Sequence, residues 1–114
     1  MAAIPFHSPT VNATAELLVG KAATLENMEA SNIDATDVFI QLFDAVQVSD
    51  VTVGTTVPDY VLGVPAGDAT KRGFRDAYWN PGLDFQKGIV IAATTTVGGN
   101  TAGATAAHVS ASYS

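Results

Sequence analysis

The chain has 114 residues, 47% of them hydrophobic and 14% charged, with a formal charge of −6 and no cysteine. That length fits one domain around one hydrophobic core, and the lack of Cys excludes zinc ribbons, thiol catalysis and a disulfide framework. Eleven carboxylates against five Lys and Arg repel phosphate backbones at long range, which speaks against nucleic acid as a partner. No apolar run approaches the ~20 residues that span a bilayer, and no charged-then-apolar leader opens the chain, so a soluble, unprocessed protein is expected, with no membrane partner.

Residues 1 to 14 hold Ile4, Pro5, Phe6, Pro9 and Asn12 with no period of 2 or 3.6, and read as an extended N-terminal arm. Ile4 and Phe6 are too apolar for a solvated tail; they either pack on their own domain or anchor the chain to a neighbour. Residues 15 to 114 form the single domain. Ala15 to Val19 opens a strand, and Gly20-Lys21 turns it. The stretch from Ala22 to Asn32 has helix-favouring composition between Leu25 and Ala30. That run is too short for an apolar stripe, and Leu25, Met28 and Ala30 suit a strand with one bulge.

Val38 to Phe43 is rich in β-branched and aromatic residues and lies between Asp37 and Asp44, the pattern of a central strand buried on both faces. A polar segment follows, and then Val57 to Val64 reads as a strand near an edge, because Pro58 is tolerated only there. Residues 67 to 84 read as a long connection or a pair of short strands around the Asn80-Pro81-Gly82 turn. Gly88 to Ala93 is a second apolar strand. Ala106 to Tyr113 alternates His108, Ser110 and Ser112 with Val109, Ala111 and Tyr113, giving a last strand with one wet face. The expected fold is all-β: an antiparallel β-sandwich, jelly-roll-like or Ig-like, of about 6 to 8 strands with an N-terminal arm.

Chemistry-bearing patterns are sparse. Two histidines, His7 and His108, are too few for a zinc triad without carboxylates, and Asp34, Thr36 and Asp37 lack the spacing and closing glutamate of a calcium loop. Neither a phosphate-binding loop nor a nucleophile elbow is present. No catalytic residue, cofactor or metal is therefore assigned. The candidate partner-binding residues are Ile4 and Phe6 in the arm and Arg72, Arg75, Tyr78 and Trp79 beside Asp76 and Asn80, since Trp, Tyr and Arg dominate binding hot spots. Three readings of the second group stay open: Tyr78 and Trp79 cap the open end of the sandwich, they face a protein partner, or they form a shelf for a sugar.

The tracts DVFIQLFDA, GTTVPDYVLGVPAG, GLDFQKGIVIAATTT and the terminal HVSASY, in that order over residues 37 to 114, resemble small β-sandwich virion proteins of tailed bacteriophages. The resemblance implies a non-catalytic capsid decoration (cement) protein on the outer capsid surface. Its partners would be the major capsid protein and copies of itself, in a homotrimer. A receptor- or glycan-binding module of a head or tail fibre is the alternative.

Overall fold

Hydrophobic alternation resolves into eight strands in the computed structural model, which describes residues 3–114. They are β1 (Ile4–Val11), β2 (Glu16–Val19), β3 (Ala23–Asn32), β4 (Val38–Asp44), β5 (Tyr60–Val64), β6 (Gly73–Phe85), β7 (Ile89–Thr94) and β8 (Ala107–Tyr113), with a short 3-10 turn at Val48–Asp50. All ladders are antiparallel, in two four-stranded sheets ordered β1-β8-β3-β6 and β2-β7-β4-β5. Strand 1 lies beside 8, 2 beside 7, 3 beside 6 and 4 beside 5. One long hairpin rolled into two layers gives that pairing, which is the jelly roll and not the Ig arrangement.

Between the layers, Leu25, Met28 and Ala30 of β3, Ile40 and Leu42 of β4, Ile89 and Ile91 of β7 and Val109 of β8 are all but fully buried. Each large apolar side chain contributes about 1.5 to 3 kcal/mol by leaving water. The bulge expected in β3 is present against β8: Leu25 faces Tyr113 and Asn27 faces Ser112, so Glu26 is the extra, unpaired residue, while against β6 residues 79–82 bulge out opposite it. The extra residue keeps Leu25 and Met28 on the same inner face despite their odd spacing.

β4 and β7 are neighbours at the centre of the second sheet and are buried on both faces. Their outward residues Phe43, Val90 and Ala92 form a second cluster with Ala45, against which Ala15, Val51 and Val53 pack. The chain's own loops thus roof this sheet. At the other end of the roof, buried Gln41 donates from Nε2 to Thr94 Oγ1 (2.6 Å) and to the Gly99 carbonyl (3.0 Å), and Thr94 Oγ1 donates to Thr96 O (2.8 Å). The β4–β5 and β7–β8 loops meet where Gly54, at φ +93°, lies against Asn100.

Two expectations are corrected. The segment expected as an arm over residues 1–14 is, from Ile4 to Val11, the edge strand of the first sheet, paired with β8 from Ile4↔Tyr113 to Val11↔Ala107. Met1 and Ala2 lie outside the described residues. Proline lacks an N–H, but on an edge strand that position is free to face solvent, so Pro5 and Pro9 are compatible with β1. A bulge between Ser8 and Val11 absorbs the irregularity, and Ser8 Oγ donates to the Glu16 carboxylate at 2.6 Å, tying β1 to β2. Nor do residues 67–84 form a long connection or a strand pair. β6 is one strand over Gly73–Phe85, and Asn80-Pro81-Gly82 sits in its bulge and not in a turn.

Candidate interaction surface

Among the described residues nothing roofs the outer face of the first sheet. Across β1, β8, β3 and β6, registered residues form rows: Pro5–Ser112–Asn27–Tyr78, then His7–Ser110–Glu29–Asp76, then His108–Ser31–Phe74. Small polar residues hold the middle, and each serine is tied sideways. Ser112 Oγ donates to Asn27 Oδ1 (2.9 Å), Ser110 Oγ meets His7 Nδ1 (2.9 Å), and Arg72 Nε donates to Ser31 Oγ (2.9 Å). These ties link neighbouring residues across the surface. At its β6 rim stand two aromatics, Tyr78 at 74% and Phe74 at 55% exposure.

Strand parity divides the sequence-derived candidates. Tyr78 projects outward, whereas Trp79 turns towards the core and packs edge-on against Tyr60 of β5, ring centroids 5.5 Å apart. Trp79 therefore closes the open side of the sandwich between the edge strands β5 and β6. Arg75 reaches across the same side, its Nη1 donating to the Gly63 carbonyl at 3.4 Å. Arg72 sits at the start of β6 against Ser31. Phe6 packs against the core, and Ile4, opposite Tyr113 at the end of β1, is 43% exposed. The six candidates are thus spread over three places. Phe74, exposed beside Tyr78's face, was not singled out in the sequence; its alternation with Tyr78 was the available signal, masked by the unrecognised continuity of β6.

His7 and Ser110 form the one histidine–hydroxyl pair at hydrogen-bond distance among the described residues, and His108 lies near, ring centroids 6.1 Å apart. The pair stands on an open sheet face whose backbone N–H groups belong to the ladder, and catalysis at a serine needs free N–H donors aimed at the developing oxyanion. Among the described residues no three His, Asp or Glu side chains converge as metal ligands.

The calcium-loop fragment has a structural job. Asp34 Oδ2 accepts the Thr105 N–H at 2.9 Å and Oδ1 accepts the N–H and hydroxyl of Thr36, which fastens the β3–β4 turn to the β7–β8 loop. The Thr105 bond first and then those of Thr36 hold the Asp34 carboxyl below the usual range, against some desolvation. Desolvation pushes Asp44 up, but the N–H groups of Lys87, Gln86 and Gly88 outweigh it, so this carboxyl also titrates low.

Among the described residues no helix is long and apolar enough to cross a membrane. No family model matches the chain, and no curated protein matches it in sequence.

Proposed function

We propose that this protein is a non-catalytic virion structural protein of a tailed bacteriophage, a decoration protein that sits on the outer capsid surface as a homotrimer and stabilises contacts between coat subunits. The observation that carries this reading is the asymmetry of the sandwich. One sheet is roofed by its own loops, while the other presents a bare, hydrogen-bonded plane with Tyr78 and Phe74 at its rim. The slab measures 37 × 29 × 19 Å, so each broad side offers on the order of the ~800 Å² per partner that a standard interface buries. Such a face suits protein contact, with the aromatic rim as its anchor.

The experiment is co-sedimentation of purified protein with particles that lack it. Binding at a saturating ratio that matches the capsid lattice supports the reading, and Tyr78→Ala should weaken it about tenfold or more without unfolding the domain. Failure to bind capsids, or binding only at tail or vertex, would overturn it. The alternative glycan module has one favouring observation: Phe74 and Tyr78 share a face four residues apart along β6, about 13 Å at ~3.3 Å per residue. A glycan array separates the two readings.

A further inference from the structure

The open side of the sandwich between β5 and β6 carries a groove that the decoration reading touches only at Phe74. Two adjoining cavities of about 510 and 390 Å³ share Pro65 and Phe74 and run together as one groove. Its floor is apolar, made by Phe39, Gly63, Val64, Pro65 and Phe74, and its rim holds Lys71, Arg72 and Arg75, three of the five cations of a chain whose formal charge is −6. Both guanidiniums are steadied by neutral acceptors, Arg72 by Ser31 Oγ and Arg75 by Gly63 O. A guanidinium has five N–H donors, so most of each fork is left for another acceptor. The two carboxylates in the walls are engaged within the chain: Asp37 Oδ1 accepts the Ala66 N–H at 2.9 Å, and Asp68 Oδ1 accepts the N–H groups of Thr70 and Lys71 and the Thr70 hydroxyl.

The groove's shape follows from the fold. β5 and β6 are the outermost strands of the two sheets on this side, so both present edges that no other strand among the described residues covers. Gly73 allows the two backbones to close at one end, where a Cβ would collide with the Pro65 carbonyl. An edge with unpaired backbone groups accepts an extended chain by strand addition, and the flanking pockets then select its side chains.

We propose that this groove binds an extended segment of a partner protein in which carboxylates alternate with apolar residues, the apolar side chains on Phe39 and Phe74 and the carboxylates on Lys71, Arg72 and Arg75. Charge complementarity carries the choice of occupant, because carboxylates meet guanidinium forks bidentately. A nucleic-acid strand fits worse, since the open β5 and β6 edges offer backbone donors and acceptors at strand spacing, which an extended peptide matches and a sugar–phosphate chain does not. The groove lies on the open side and meets the bare sheet face only at the shared rim residues Phe74 and Arg72, so it can be tested apart from the virion reading through Arg75 and Lys71.

The test is a fluorescence-anisotropy and amide-NMR titration of the full chain with a labelled hexapeptide alternating Asp and Val. The same peptide with Lys in place of Asp and a single-stranded DNA hexamer serve as controls. Saturable binding of the Asp peptide, amide shifts confined to residues 37–39, 63–68 and 71–75, and an affinity loss of about tenfold in R72Q/R75Q at unchanged melting temperature support the groove. No binding at millimolar peptide, equal binding of the Lys peptide, tighter binding of DNA, or shifts elsewhere on the sandwich would overturn it. Particle co-sedimentation of R72Q/R75Q is scored separately, so failure of the groove and failure of the decoration reading stay distinguishable.

Discussion

Replacing Val90 with Ala measures whether the roof over the second sheet is closed in solution. Val90 lies on the outward side of β7, opposite Phe43, and is fully buried because Ala15, Val51 and Val53 pack over its cluster. Losing two methyl groups costs about 0.8 kcal/mol each in transfer, and the small cavity left brings the total to about 2 kcal/mol. For a domain of this length that lowers Tm by about 6 to 12 °C. Urea unfolding followed through Trp79, the single tryptophan, packed against Tyr60, reads the loss directly. The slope with denaturant should stay that of the parent. Ser110→Ala on the unroofed sheet is the control and should shift stability by no more than about 0.5 kcal/mol. A Val90→Ala loss below about 0.5 kcal/mol would refute the roof, since a valine on a wet sheet face loses little when truncated.

Deleting residues 3–11 removes β1 and strips β8 of a partner, so the truncated chain should show no cooperative urea transition; a midpoint equal to the parent's would return these residues to an unpaired arm. Gly54→Ala should destabilise by about 1 kcal/mol or more, because φ is +93° and the new Cβ meets Asn100, and it should speed hydrogen exchange in residues 95–101; unchanged exchange would mean that the loops do not hold each other. Asp34 and Asp44 titrate below their unfolded values, so their contribution is fully present above the unfolded pKa of about 3.9 and is lost as pH falls through the folded values. Urea midpoints should therefore drop between about pH 5 and pH 2, and Asp34→Asn should lower the midpoint at pH 7 while flattening the acid limb. A steeper acid limb in the variant would contradict the bonds assigned to Asp34.

Much of the sandwich was legible in the residues because burial leaves a periodic mark. Val38 to Phe43 and Gly88 to Ala93 are apolar on both faces and became the roofed central strands, and the alternation from Ala107 to Tyr113 placed Ser110 and Ser112 outward. The odd spacing of Leu25, Met28 and Ala30 pointed to a bulge even though local propensity favoured helix, since packing on both neighbours outweighs propensity. What misled was proline. Around Pro5 and Pro9 no strand period shows, which reads as an arm, yet an edge position accommodates both prolines, and edge status is a property of the assembled sheet. Pro81 likewise looked like a turn, although the bulge keeps β6 continuous.

The interaction surface was less legible for the same reason. Tyr78 and Trp79 are neighbours in sequence with similar chemistry, and only strand parity sends one to solvent and the other to Tyr60. Phe74 gained significance once β6 was one strand. Gln41 showed no signal at all: its amide fastens the loop at Gly99 through a contact 58 residues away.

Cryo-electron microscopy of the assembled particle tests the central claim most directly. The account predicts density for this domain repeated over the capsid lattice around threefold positions, with Tyr78 and the plane of Ser110 and Ser112 against coat subunits and the roofed sheet facing solvent. Density confined to a vertex or the tail, or a domain seated on its roofed sheet, would contradict it.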